Sequence, residues 1–512
     1  MSTAPPAAPN APEVSQAPPA PKTLAELRAA GYAHKTLRAE IQGNLHRHLR
    51  EGIPLFEGIR GYDDTVVPAL ENALLSGHDV IFLGERGQAK TRMIRSLLGL
   101  LDSWIPVVAG SEIHDDPFDP VSAFAREALA THGDATEIAW LAREDRYVEK
   151  LATPDVSIAD LLGDIDPIKA ATRRLTYADP EVIHFGIVAR TNRGIFAINE
   201  LPDLAPRIQV GLLNILEERD LQIRGFPVRI PLDILMVFSA NPEDYTNRGT
   251  IITPLKDRIS SQILTHYPQT VEVAANITHQ EAWVERGIEG VEIPEVIELL
   301  IEEIAFAARQ SDLVDQASGV SARLSISALE LLISNLERRH LRTGDNPTYP
   351  RLCDLQMLLP ALTGKVEMVY EGEQKGVEVV ARQIIGDAVK KLFVERYPAI
   401  SRALGSGGDD DTGPYADVVR WFADGNEVFL SDELPFDDFE AALYTIPGLQ
   451  QFASAYGASR QEKALAAETV LEGLHQHLKV AREDLDTGVS YGEMVKFQLL
   501  RPHHREGPGE VG

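Results

Sequence analysis

Apolar positions recur at helical spacing from Leu24 to about Leu49 and again from Val66 to Leu75, ahead of the short run Asp79-Val80-Ile81-Phe82-Leu83. The first two stretches predict amphipathic helices and the third a buried strand. Two further runs read as buried strands, Gly194-Ile195-Phe196-Ala197-Ile198 and Ile234-Leu235-Met236-Val237-Phe238. Helical periodicity fills Arg92 to Leu101 and Arg207 to Arg219, and strands separated by helices imply βαβ crossovers, hence a parallel sheet covered on both faces. Past Pro268 the pattern changes. Pro294 to Arg309, Ser325 to His340 and Leu352 to Tyr370 predict long helices, with no strand run of similar strength. The expected fold class is α/β, a parallel-sheet core followed by a helical lid domain.

Composition divides the chain further. Its 512 residues exceed what a single growing core accommodates, so more than one domain is expected. Residues 1 to 22 are rich in Pro and Ala and cannot bury enough apolar surface to offset ordering entropy, which predicts a disordered tail. The stretch GSGGDDDTG from Gly405 to Gly413 reads as a flexible acidic linker. The predicted organisation is a tail over 1–22, an α/β core over 23–268, a helical lid and extension over 269–404, the linker over 405–413, and a small mostly helical C-terminal module over 414–512. No role for that module is legible, and no internal repeat is found.

A net charge of −28 repels polyanions and argues against broad nucleic-acid binding, which needs clustered Lys and Arg. The basic residues Arg47 and Arg50, with His46 and His48, read as a solvated helix face. No apolar run approaches the roughly 20 residues of a membrane-spanning helix. The amino terminus has neither the basic start nor the apolar stretch of a secretory signal. The expectation is a cytoplasmic protein without membrane insertion. Cys353 is the single cysteine, which excludes an internal disulfide or a zinc site of several thiolates, and it reads as a small buried apolar side chain.

Candidate chemistry begins directly after the first predicted strand. Gly84-Glu85-Arg86-Gly87-Gln88-Ala89-Lys90-Thr91 opens a helix whose Met93, Ile94, Leu97, Leu98 and Leu101 share one face. This is the context of a phosphate-binding loop: glycines let backbone N–H groups curl around phosphate oxygens at a helix N-terminus. Lys90 would reach the β and γ phosphates of ATP, and Thr91 would place its hydroxyl on Mg²⁺. Ala89 stands where the common pattern has its last glycine.

The second predicted strand ends in Asn199-Glu200. Next to a phosphate loop, position 199 belongs to the Mg²⁺ shell and Glu200 orients the water that attacks the γ-phosphate. Asn199 brings no charge to that shell. The third strand ends in Ser239-Ala240-Asn241-Pro242, and Asn241 emerges where a neutral polar group can contact both γ-phosphate and water. Arg258, in Pro254-Leu255-Lys256-Asp257-Arg258, could act on a neighbouring subunit's nucleotide as an arginine finger, although a lone Arg there fits one half of a surface ion pair better. Arg323, in Gly319-Val320-Ser321-Ala322-Arg323, precedes a strong helix whose Ser327-x-x-Glu330 reads as a capping box. It could sense the γ-phosphate from the lid.

This order of motifs resembles the AAA+ clade of magnesium chelatase I subunits, MoxR proteins and MCM helicases. The loop with Ala89 is similar to the G-x-x-G-x-A-K-[ST] form of MoxR proteins. Similarity to chelatase I subunits rests on Pro106-Val107-Val108-Ala109-Gly110 with Asp116-Pro117-Phe118-Asp119-Pro120, on Leu161-Leu162-Gly163-Asp164-Ile165-Asp166, and on Arg193-Gly194-Ile195-Phe196-Ala197-Ile198-Asn199-Glu200. It covers roughly Phe56 to His340. The resemblance implies an ATP-hydrolysing motor in a hexamer-like ring, working with a separate von Willebrand factor A protein, since the Asp-x-Ser-x-Ser pattern of that partner is not found in this chain. It implies sensor-1 and sensor-2 roles for Asn241 and Arg323. It also implies a helix-2 insertion over Gly163 to Ala189 and a hairpin over Leu221 to Ile230, both facing the ring surface or pore. In that hairpin Leu221 and Ile223 alternate against Val228 and Ile230 across a turn containing Gly225. The chain departs from chelatase I subunits in two ways: the cysteines many of them carry near the Asp-Pro motif are replaced by a region with Ser111 and His114, and Asn199 replaces the strand-end Asp. A chelatase subunit and a slowly hydrolysing ATP-binding scaffold are the alternative readings.

Overall fold

A computed structural model describes residues 18–165, 168, 172, 182–223, 229–241, 250–287, 290–316, 318–400, 413–485 and 488–494. The chain divides into two compact units, Met1–Tyr267 and Pro268–Gly512. Most of the predicted tail, the predicted linker up to residue 412, and Gly225, Val228 and Pro242 lie outside the described residues.

The first unit is built on a five-stranded sheet. In chain order its strands are β1 (Val80–Leu83), β2 (Tyr147–Leu151), β3 (Gly194–Asn199), β4 (Ile234–Ala240) and β5 (Ser261–Leu264). Their spatial order is β5-β1-β4-β3-β2, with every pairing parallel. Parallel strands need coverage on both faces, and the alternation of side chains supplies it. Val80, Phe82, Ile195, Ala197, Leu235 and Val237 pack with Met93 and Ile94 of the helix Lys90–Ser96 and with Leu97 just after it. From the other face, Ile81, Leu83, Phe196, Ile198, Met236 and Phe238 meet Ile208, Leu212 and Ile215 of the helix Pro206–Glu218.

Two of the five strands were not expected. β2 and β5 read Tyr-Val-Glu-Lys-Leu and Ser-Gln-Ile-Leu, too polar for a buried run because both sit at sheet edges. An antiparallel pair, Trp104–Val108 with Ile138–Ala142, lies outside this sheet. The expected helix from Leu24 to Leu49 is two helices, Leu24–Ala29 and Leu37–Glu51, parted by Gly31 in the left-handed region. That expected over Arg92 to Leu101 is α-helical only through Ser96 and then tightens into a 3₁₀ turn over Leu97–Leu100.

In the second unit the helices Glu295–Gln310, Arg323–Thr343 and Val377–Arg396 share one apolar core. The single helix expected from Leu352 to Tyr370 is broken into the 3₁₀ segment Leu352–Leu358 and the helices Leu359–Thr363 and Tyr370–Lys375, with Gly364 ending the middle piece. The C-terminal region is not only helical. A three-stranded antiparallel sheet sets Gly488–Gly492 between Val428–Leu430 and Ala481–Leu485. The helix Arg460–Gln476 packs on Val377–Arg396 so closely that a Cβ on Gly473 would fall 2.1 Å from Phe393. Cys353 is buried in that region, as its chemistry suggested. Among the described residues no helix is long and apolar enough to cross a membrane.

Candidate functional site

The C-terminal ends of β1, β3 and β4 bring three predicted segments to one place. Between β1 and the helix Lys90–Ser96 the chain curls through Gly87 and Ala89, both at positive φ, 79° and 57°. Ala89 is the residue before the helix and carries the strain that a Cβ meets in the left-handed region. Gly84 is required by close approach. A Cβ there would stand 1.9 Å from Thr265 Oγ1 and 2.2 Å from Gln88 Oε1, which are themselves hydrogen bonded at 2.5 Å.

Two tyrosines hold the loop from outside. The Tyr62 hydroxyl is 3.0 Å from the Gln88 carbonyl and 2.9 Å from that of His266, and Tyr267 donates to the Arg86 carbonyl at 3.1 Å. Burial pushes the Tyr62 phenol up to about 12, so it stays a donor.

Lys90 is nearly buried, and its Nζ donates to the Gly84 carbonyl, to the Glu85 carbonyl at 2.8 Å and to Asn241 Oδ1 at 2.7 Å. Asn241 Nδ2 in turn donates to Glu200 Oε2 at 3.1 Å. Glu200 has φ 55° and ψ 49°, a left-handed turn that a non-glycine residue holds only when its surroundings fix it. Its backbone N–H donates to Ser239 Oγ at 3.3 Å, and that hydroxyl donates to Asn199 Oδ1 at 2.9 Å. Asn199 Nδ2 donates to Glu149 Oε1 at 2.6 Å.

The donor set suits a nucleotide with magnesium. Gly84 closed against an added Cβ, a lysine already turned onto oxygen atoms, and the hydroxyl and amide oxygens that Thr91 and Asn199 offer are phosphate and hard-cation chemistry.

Of the two remaining predicted residues, one stands apart from this cluster and the other belongs to the second unit. Arg258 ends the helix Thr253–Arg258, where Nε donates to Glu217 Oε2 at 2.6 Å and Nη1 to the Pro254 carbonyl at 3.0 Å. Within one chain it is therefore one half of an ion pair. Arg323 belongs to the second unit as the exposed first residue of its helix. The capping-box reading of Ser327 and Glu330 is overturned, because the helix starts at Arg323 and places both inside it.

The insertion and the hairpin are visible at their bases. Gly163–Ile165 pairs antiparallel with Ile183–Phe185. Asp220–Gln222 pairs with Arg229–Pro231 with Leu221 opposite Ile230. Leu221, Ile223 and Ile230 are buried in the same core as Phe196 and Ile198 of β3, so the base of the hairpin faces inward.

Sequence reasoning missed Glu149, Ser239, Thr265, Tyr62 and Tyr267. Ser239 alone had a signal, its place one residue ahead of Ala240-Asn241 on a strand whose other residues are apolar.

No family model matches the sequence. Among curated proteins the chain is similar to magnesium-chelatase subunit ChlI of Nostoc sp., 28% identical over 233 residues, which is 44% of this chain and 58% of that protein. It is also similar to the chloroplastic subunit ChlI-1 of Arabidopsis thaliana, 26% identical over 243 residues, 44% of this chain and 51% of that protein. The chain thus spans somewhat over half the length of these relatives. A solved complex of the magnesium chelatase subunits BchI and BchD aligns over 62% of this chain and 97% of that one, at 19% identity and a TM-score of 0.33, a superposition too loose to carry an argument. With its parallel sheet, the loop between β1 and the helix that follows, and this sequence similarity, the chain has the α/β fold of a P-loop AAA+ core and is similar to magnesium-chelatase ChlI subunits over 44% of its length.

Proposed function

We propose that this protein hydrolyses ATP as a subunit of a hexamer-like AAA+ ring that remodels or activates a client together with a separate von Willebrand factor A protein. The observation that carries the reading is the hydrogen-bond chain from Lys90 through Asn241 to Glu200, which ties the phosphate loop, the sensor strand and the acidic strand end into one unit. In this reading Lys90 exchanges its carbonyl partners for the β and γ phosphates. Asn241, released by Lys90, contacts the γ-phosphate, and Glu200 accepts a hydrogen bond from the attacking water. Mg²⁺ bound with ATP would neutralise phosphate charge, held through Thr91 and the side of the site where Asn199 lies. Arg258 would leave Glu217 to reach the neighbouring subunit, and Arg323 would approach from the second unit.

ATP turnover by the purified chain tests this. Lys90→Ala removes a phosphate-facing cation and is expected to abolish tight ATP binding with the fold intact; unchanged nucleotide affinity in a folded variant would overturn the assignment. The similarity to ChlI favours a second reading, the ATPase subunit of a magnesium or cobalt chelatase. That reading requires metal insertion into a tetrapyrrole when a porphyrin-binding subunit is added. The neutral Asn199 favours slow turnover, and a chain that binds ATP without measurable hydrolysis, alone or with partners, is a scaffold.

A further inference from the structure

Asn199 ends β3 where a carboxylate is expected, and a carboxylate is present one strand away. Glu149 on β2 is aligned with Ala197, two residues before Asn199, so Glu149 and Asn199 rise from the same face of the sheet. Ala197 packs with Met93 and Ile94 of the helix that follows the phosphate loop, so this is the face which that helix covers. Glu149 Oε1 accepts from Asn199 Nδ2 at 2.6 Å, while Ser239 donates to Asn199 Oδ1. An asparagine can present either its oxygen or its nitrogen to a site, and these two partners decide which way round it stands. Glu149 is held in turn by the Tyr147 hydroxyl at 3.0 Å and by Arg95, whose Nε and Nη2 take its two oxygens at 2.7 and 3.0 Å. Arg95 lies one turn beyond Thr91 on the same helix, and its side chain is 64% exposed.

We propose that Glu149 supplies from the neighbouring strand the negative charge that Asn199 lacks, acting as a positioning residue for the magnesium of a bound nucleotide. It fixes the Asn199 amide with its nitrogen on the β2 side, and its charge offsets that of the cation. Arg95 is the competing charge: it neutralises Glu149 when no divalent cation is near and opposes the cation's arrival. The proposal rests on the nucleotide-site reading above.

The test is the Mg²⁺ dependence of binding a fluorescent ADP analogue to the full chain, with Mg²⁺ alone varied and the metal-free affinity as control. Glu149→Gln keeps the shape and the bond to Tyr147, and should require about 10-fold more Mg²⁺ for half-maximal binding, with metal-free affinity unchanged. Arg95→Gln should shift the requirement the opposite way. The double variant Glu149→Gln/Asn199→Asp moves the charge to the strand end and should return the requirement toward the wild-type value. A merely structural ion pair would move Glu149→Gln and Arg95→Gln in the same direction, and that result overturns the proposal. So does an unchanged Mg²⁺ requirement in Glu149→Gln while Lys90→Ala still abolishes binding. Nucleotide binding that survives Lys90→Ala overturns instead the reading on which the proposal rests. Arg95→Gln alters an exposed side chain, which keeps the proposal testable should Glu149→Gln not fold.

Discussion

Arg193 Nη2 lies 2.9 Å from Asp116 Oδ2, and both side chains are almost wholly buried. The pair joins two of the segments that carry the resemblance to chelatase I subunits, the Asp-Pro-Phe-Asp-Pro turn and the start of β3. Arg193 Nη1 also donates to the Pro106 carbonyl at 2.7 Å, which brings in a third. These residues tie down the start of β3, the end of the strand away from Asn199 and Glu200. Arg193→Met leaves a buried carboxylate with His34 and Tyr32 beside it, at 3.0 and 3.4 Å, and the Phe118 backbone N–H at 2.8 Å, none of them a permanent charge, and should cost about 3–5 kcal/mol. Adding Asp116→Leu should recover much of that loss. Equal thermal unfolding temperatures for the single and double variants would show that the charge left behind is not the cause.

Arg258→Ala should bind nucleotide and lose hydrolysis, since a finger acts on charge that develops in the transition state. Fingers supplied in trans contribute about 10³ to 10⁵ in rate in GTPases, so even a partial loss is measurable. Mixing Arg258→Ala with Glu200→Gln subunits, each inactive alone, should restore turnover at mixed interfaces. No recovery despite proven co-assembly would rule out a shared site and leave Arg258 as the partner of Glu217.

Ala89→Gly should stabilise the first unit. The left-handed conformation at φ 57° costs a residue with a Cβ about 1–2 kcal/mol, and the added freedom of glycine in the unfolded chain takes back part of that gain. A net gain of about 0.5–1 kcal/mol is expected from denaturant unfolding, with nucleotide affinity unchanged. A loss of stability would mean that the loop draws rigidity from the alanine methyl.

Glu468 in the second unit accepts from the backbone N–H groups of Leu352 and Cys353 at 2.5 and 2.8 Å, yet burial pushes its carboxyl up to about 7. A carboxyl that binds its proton more tightly when folded gives stability that is present below its ordinary titration range and lost as pH rises toward neutrality. The loss is on the order of 3 kcal/mol between the two limits. Glu468→Gln should flatten this part of the stability profile between pH 5 and 8. A variant whose unfolding temperature still falls over that interval as the parent's does would place the titration elsewhere.

The readable parts of the fold are those buried on both faces. Val80–Leu83, Gly194–Asn199 and Ile234–Ala240 announce themselves as apolar runs because helices cover the sheet above and below. Tyr147–Leu151 does not, because Glu149, hydrogen bonded to Asn199, and Lys150 interrupt its apolar run. Lys90, Glu200 and Asn241 were legible because strand, turn and helix fix their spacing, and the structure brings the three together. Tyr62, Thr265 and Tyr267 reach the phosphate loop from remote segments, and a single tyrosine or threonine leaves no pattern in a sequence. The C-terminal strand Ala481–Leu485 reads Ala-Arg-Glu-Asp-Leu, with no alternation to betray it. Ser327 misled for a related reason: a serine and a glutamate three apart also occur inside helices.

The buried base of the hairpin carries a mechanical corollary. Leu221, Ile223 and Ile230 interlock with Phe196 and Ile198, and close-packed interiors switch between arrangements instead of deforming smoothly. A displacement at the end of β3 therefore cannot be absorbed between strand and hairpin. It is expected to carry the hairpin's base with it, Leu221, Ile223 and Ile230 moving as one piece with the end of β3.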